Sequence, residues 1–116
     1  GVASGTNASR ILKFLNMQQL ILIDPWETAI DNKNNDNNKK YLFHKNRYET
    51  TLAKFSNNSK VKIIKEFSVE AAKMFEDHYF DFIYIDGDHS YEAVINDLYA
   101  YYPKLKRFGV LCGLRR

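Results

Sequence analysis

The sequence is poor in several features that would each point to a particular class of protein. Its 116 residues include a single cysteine, Cys112, which excludes an intrachain disulfide and a zinc site built from several thiolates. No stretch has the length of a membrane span or the pattern of a signal peptide, and no internal repeat is present. The 17 basic and 14 acidic residues are spread without a dense basic block, which argues against nucleic acid as a partner. We therefore expect one cytoplasmic domain with neither a membrane nor a nucleic-acid partner.

The most informative stretch runs from Asp81 to Tyr91 and reads Asp-Phe-Ile-Tyr-Ile-Asp-Gly-Asp-His-Ser-Tyr. Its first part, Phe82 to Ile85, is apolar or aromatic throughout, which is typical of a strand buried on both faces of a parallel sheet. Asp86, Asp88 and His89 follow directly. Because ligands bind beyond the carboxyl ends of strands in open parallel sheets, this polar turn is a candidate site.

Strand and helix patterns alternate along the chain. Strand candidates lie around Leu20, Val61, Phe82 and Phe108, and the segments between them have apolar residues at helical spacing. This alternation predicts an α/β fold: a doubly wound, mostly parallel sheet with helices on both faces. We expect all four strands to belong to one sheet.

A second candidate site lies near the start of the sequence. The small-residue loop Gly1 to Gly5 leads into a helix, and a loop of this kind presents backbone N–H groups to a ligand. Asp24 closes the next strand 19 residues after Gly5, the place of the acid that binds the ribose of many nucleotide cofactors. The alternative is an ordinary turn before a helix, with Asp24 as a capping or turn residue.

The segment Asp31 to Lys40 has no apolar residue and is low in complexity. Such a segment cannot bury surface to offset the entropy of ordering, so we predict a surface insert. After it, Tyr48, Leu52 and Phe55 mark one face of a helix of roughly a dozen residues.

With these segments placed, the sequence resembles the class I S-adenosylmethionine-dependent methyltransferases, and within them the small-molecule branch of macrocin-type sugar O-methyltransferases. The resemblance covers nearly the whole chain outside the insert and rests mainly on Asp81 to Tyr91. It implies a Rossmann-like fold and S-adenosylmethionine as the cofactor. The cofactor-binding residues that it implies are Gly1, Ser4, Gly5, Asp24, Phe67, Ser68 and Asp86.

Two departures from the family pattern concern the extent of the domain. Relatives have an acidic residue shortly before the first glycine, and this sequence starts too late to include it. Relatives also tend to follow the fifth strand with Gly-Asp-Asp and have later strands after it, whereas here Gly113 precedes Leu114, Arg115 and Arg116. We therefore expect a partial methyltransferase domain, incomplete at both ends, within residues 1–116.

The resemblance implies transfer of a methyl group to a hydroxyl or amine of a small molecule. A hydroxyl acceptor must lose its proton, and a histidine takes a proton readily at neutral pH. We assign His89 as the base or the acceptor-orienting group, and Asp86 as an acceptor contact or a metal ligand, leaving Mg²⁺ open. The alternatives are a helix cap for Asp88 and structural packing for His89.

Two other functions are weighed against this one. A non-catalytic remnant would bind the cofactor without transferring the methyl group. A metal-dependent hydrolase on the Asp86–His89 turn would need further histidines and carboxylates, and the chain has only three histidines. Whether the chain forms a homo-oligomer is left open.

Overall fold

The structure is a computed structural model that describes residues 1–27, 39–88 and 90–113. The chain divides into two compact units. The first unit comprises Val2–Lys65, and the second comprises Gly1 together with Glu66–Arg116. The predicted insert lies outside the described residues except for Lys39 and Lys40, which belong to a helix.

The first unit alternates helices and strands. Its elements are α1 (Thr6–Phe14), β1 (Leu20–Asp24), α2 (Lys39–Phe55) and β2 (Val61–Lys65). The two strands pair in parallel. With 17 residues, α2 is longer than the predicted dozen. The sequence pattern missed its first turns because their apolar residues, such as Leu42 and Phe43, face solvent rather than the core.

The core of the first unit lies on one face of this strand pair. Buried Ala8 of α1, Leu22 of β1 and Phe55 of α2 form its centre. Side chains two positions apart on a strand share a face, so the neighbouring strand residues join the same layer. The partly buried residues packed around this centre are Val2, Leu12, Leu20, Val61 and Ile63.

The second unit also alternates helices and strands. Its elements are α3 (Ser68–Ala72), β3 (Phe80–Ile85), α4 (Tyr91–Tyr101), a 3₁₀ turn (Tyr102–Lys104) and β4 (Leu105–Gly113). The strands β3 and β4 are parallel. The expected burial of β3 on both faces is wrong, since of its residues only Ile83 is buried and Phe82 is 47% exposed. Between two of their paired positions β4 has extra residues, and Phe108 there is 90% exposed. The strand predicted at Phe108 is therefore present, but this phenylalanine contributes nothing to a core.

The buried face of α4 differs from the predicted one. The sequence pattern predicts burial of Tyr91, Val94, Ile95, Leu98 and Tyr102, yet Tyr91 is 69% and Tyr102 73% exposed. The buried residues of α4 are Asp97 and Tyr101. Val94, Ile95 and Leu98 are half-buried, so the prediction is wrong chiefly for Tyr91 and Tyr102, whose rings the pattern counted as apolar.

The hydrogen-bonded strands form two parallel pairs, β1 with β2 and β3 with β4. This confirms the α/β class and the parallel pairing of the strands. The expectation that all four strands belong to one sheet is wrong for the described residues. Alternation predicts which segments are strands, but pairing partners depend on contacts distant in sequence. Of the helices described, none is long and apolar enough to cross a membrane.

Candidate cofactor-binding and catalytic residues

In the first unit, the Asp24 carboxylate at the end of β1 holds the loop that precedes α1. Its Oδ2 accepts hydrogen bonds from the backbone N–H of Val2 at 2.6 Å and of Ala3 at 3.1 Å. Its Oδ1 accepts from the backbone N–H of Trp26 at 2.7 Å. Bonds from backbone N–H to a carboxylate are charge-assisted and strong. Asp24 therefore fixes both the loop and the turn that follows its own strand.

Three further side chains hold the carbonyl groups of the same loop. Trp26, only 3% exposed, donates its indole N–H to Ala3 O at 2.6 Å. The hydroxyl oxygen of fully buried Thr51 lies 3.0 Å from the same oxygen. Lys54 Nζ donates to Ser4 O at 3.1 Å. A tryptophan two positions after Asp24 is the one local sign of this group, and nothing local indicates the two residues of α2.

Gly5 ends the loop in a conformation that suits glycine. Its φ is 82°, in the left-handed region, and it occupies the N-cap position of α1. A Cβ at this position would lie 2.9 Å from Cε2 of Phe55, so there is no room for a side chain. The first backbone N–H groups of an α-helix have no intrahelical partner. In α1 no side chain of the N-cap residue takes their place as an acceptor. Ser4 and Gly5 thus lie where a small anionic group would meet N–H donors.

In the second unit, Phe67 and Ser68 open α3. Phe67 is the N-cap residue and makes no side-chain cap, and its ring is 42% exposed. The Ser68 hydroxyl does not cap the helix. It donates a short hydrogen bond to Oδ1 of Asp97, and Ser68 O accepts from the Tyr101 hydroxyl at 2.6 Å. Ser68 is thus held from both its side chain and its backbone.

The acidic turn follows β3 as predicted. Asp86 is half-buried directly after the strand. Asp88 is exposed, and its Oδ1 accepts from Ser90 N at 2.8 Å, while the Ser90 hydroxyl accepts from Ala93 N at 3.3 Å as the N-cap of α4. The helix cap that the sequence left open for Asp88 is therefore Ser90, and Asp88 instead bonds to the backbone N–H of this cap residue. His89 lies outside the described residues.

Comparison with known proteins then decides the family. A sequence model described as a methyltransferase domain matches residues 1–113. The chain belongs to this methyltransferase family. A crystal structure of a protein from Corynebacterium glutamicum is similar in fold, with a TM-score of 0.64 at 15% identity over 93% of this chain. The methyltransferase chain spans only 43% of that protein's length. No curated protein matches it.

The described part of the methyltransferase domain shows the predicted residues in two separate groups. Ser4, Gly5 and Asp24 belong to the first unit, where Asp24 binds the loop directly. The second unit contains the others: Gly1, Phe67, Ser68 and Asp86. In that unit, a Cβ on Gly87 would lie 3.9 Å from Gly1 N, so the first residue is close to the acidic turn.

Among the described residues of this methyltransferase domain, metal binding finds no support. Within residues 1–27, 39–88 and 90–113, no three side chains of His, Cys, Asp or Glu come together in a way that could hold an ion. The carboxylate of Asp88 bonds to the helix start, which leaves Asp86 as the remaining described carboxylate of the turn. The described residues therefore give no support to Mg²⁺ binding at Asp86, and we assign no chemical step to a metal.

Proposed function

We propose that this domain binds S-adenosylmethionine and transfers a methyl group to a hydroxyl or amine of a small molecule. This is the activity implied by the resemblance to the macrocin-type sugar O-methyltransferases. The observation that carries the proposal is the Val2–Gly5 loop, held in place by Asp24 beyond the carboxyl end of β1. Membership of the methyltransferase family supports methyl transfer in general. The acceptor class rests on the resemblance alone.

The residues present fit the polar groups of S-adenosylmethionine. A carboxylate offers about four lone-pair directions, and Asp24 uses three of them for backbone N–H groups. The remaining direction is available to a ribose hydroxyl. The uncapped start of α1, beside Gly5, offers backbone N–H donors and the positive end of the helix dipole to a carboxylate. Both features are built into the fold, so little further ordering is needed on binding.

When bound, the cofactor supplies a methyl group already activated by its sulfonium. The protein then has to position the acceptor and manage one proton. We propose that the His89 imidazole takes the proton from the acceptor hydroxyl and that Asp86 contacts the acceptor. Asp86 directly follows β3, and the pairing of β3 with β4 gives its backbone a fixed position.

Isothermal calorimetry with S-adenosylhomocysteine tests cofactor binding. The unaltered chain is expected to bind, and Asp24→Ala to bind roughly tenfold more weakly or worse, because bonds to a charged group are worth about 1.5–3 kcal/mol. Asp81→Ala is the matched control, since Asp81 is exposed and pairs with Lys106 at 3.4 Å. Affinity unchanged in Asp24→Ala, or absent in the unaltered chain, would contradict the cofactor assignment.

Turnover with candidate hydroxyl acceptors tests the catalytic part. If His89 is the base, the rate rises with pH through the imidazole titration, and His89→Ala lowers turnover about a hundredfold with cofactor affinity little changed. Turnover that survives the substitution means that His89 is structural. Binding without turnover on any acceptor would favour the non-catalytic remnant, and hydrolysis that depends on added metal would favour the hydrolase.

A further inference from the structure

Asp97 is a buried carboxylate in the middle of α4, only 7% exposed. Burying a charged group is unfavourable unless hydrogen bonds replace its contacts with water. Neither the methyl-transfer chemistry nor the start of α4 uses this side chain. The contacts of Asp97 within the second unit should therefore explain why a carboxylate is buried there.

The two oxygens of Asp97 face two different segments of the second unit. Oδ1 accepts the short hydrogen bond from the Ser68 hydroxyl. Oδ2 faces Gly87, where an added Cβ would lie 3.6 Å from it. Asp97 thus reaches both the start of α3 and the turn after β3, the two places in this unit where cofactor-binding residues are proposed.

Tyr101 extends the same arrangement by one helical turn. It is 7% exposed, and its hydroxyl donates to Ser68 O at 2.6 Å. Residues four apart lie on one face of a helix, so Asp97 and Tyr101 hold Ser68 together. Burial, and then the negative charge of Asp97, raise the pKa of Tyr101 to about 12. The Tyr101 hydroxyl therefore stays protonated and continues to donate across the physiological pH range.

We infer that Asp97 is a positioning residue of the cofactor site, which fixes the Ser68 hydroxyl and packs against Gly87 without touching the cofactor itself. This inference rests on the proposed function, because it assumes that Ser68 contacts S-adenosylmethionine. A hydroxyl that is free to rotate would sample several directions, whereas one bonded to a buried carboxylate has its hydrogen committed. The Ser68 oxygen then presents its lone pairs to a ligand in a fixed direction.

A double-mutant cycle on S-adenosylhomocysteine affinity tests the inference. We expect Asp97→Ala and Ser68→Ala each to weaken binding about tenfold, and the double variant to be no weaker than the worse single variant. Asp97→Asn keeps an acceptor oxygen for the serine and should recover part of the affinity. Asn96→Ala is the matched control, because Asn96 is the exposed neighbour of Asp97 on the same helix.

Affinities are compared per folded molecule, with the folded fraction measured by urea denaturation. If Asp97→Ala leaves too little folded chain, Asp97→Asn and Ser68→Ala carry the test. Normal affinity in both Asp97 variants, or effects in the cycle that simply add, would overturn the inference while leaving the proposed function intact. Absence of binding by the unaltered chain would overturn both.

Discussion

The Val2–Gly5 loop and the turn Asp86–Ser90 both serve proposed binding residues, yet they are stabilised in different ways. The loop is held by side chains that lie between 21 and 50 positions away in sequence. In the turn, the bonds of Asp88 and Ser90 span only two and three positions. The loop therefore has its shape only when the first unit is folded, whereas the bonds of Asp88 and Ser90 depend on residues close by in sequence.

Trp26→Ala should produce the largest change, because it removes a buried ring that packs at a tilt against Tyr48 and bonds to Ala3 O. We expect the free energy of unfolding to fall by about 3–5 kcal/mol in urea denaturation. Phe14→Ala is the control, since Phe14 is 76% exposed and should change stability by no more than about 0.5 kcal/mol. Equal effects of the two substitutions would mean that the loop is not held by its distant contacts.

A glycine and an alanine in the loop provide an opposed pair of substitutions. Gly5→Ala should destabilise by about 1–3 kcal/mol, because its φ is 82° and the new Cβ would meet Phe55. Ala3→Gly should be neutral or slightly stabilising, because Ala3 has a φ of 54°, which glycine adopts without strain. Thermal unfolding of both variants checks the pair. Stabilisation by Gly5→Ala would contradict the loop conformation.

Ser90→Ala tests the local character of the turn. Loss of this N-cap should lower the free energy of unfolding by about 1 kcal/mol. Ser90→Asp keeps an acceptor for Ala93 N and should restore most of that loss. Failure of the aspartate variant to recover stability would mean that the serine contributes something other than its cap.

The pH dependence of stability that Tyr101 contributes should be the smallest effect near neutral pH, because its hydroxyl titrates far above that range. Its pKa rises from an ordinary value of 10.0 to about 12 in the folded chain, so the protonated hydroxyl favours folding. That stability is fully present below pH 10 and is lost as the pH rises towards 12. Urea denaturation at pH 9 and at about pH 11 should show a smaller alkaline loss in Tyr101→Phe than in the unaltered chain. Equal alkaline losses of stability in the two proteins would contradict the raised pKa of the Tyr101 hydroxyl.

The same contrast between local and distant contacts explains what the sequence could reveal. The strands, the acid at the end of β1 and the helix start at Ser90 were predictable, because each depends on a short pattern of residues. The contacts of Thr51 and Lys54 with the loop were not, since nothing local relates them to residues near the start of the chain. Asp97 was also missed as a contact of Ser68, because an aspartate in a helix is usually exposed.

The central claim, that the held loop binds the cofactor, is tested most directly by NMR titration of the ¹⁵N-labelled chain with S-adenosylhomocysteine. The chain has one tryptophan, so a single indole signal reports on Trp26 beside the loop. The account predicts saturable shifts of this signal and of the amides from Val2 to Thr6, weakened in Asp24→Ala. The amides around Phe43, a residue of α2 that is 52% exposed, should not respond. Shifts that leave the loop unaffected, or that persist unchanged in Asp24→Ala, would contradict it.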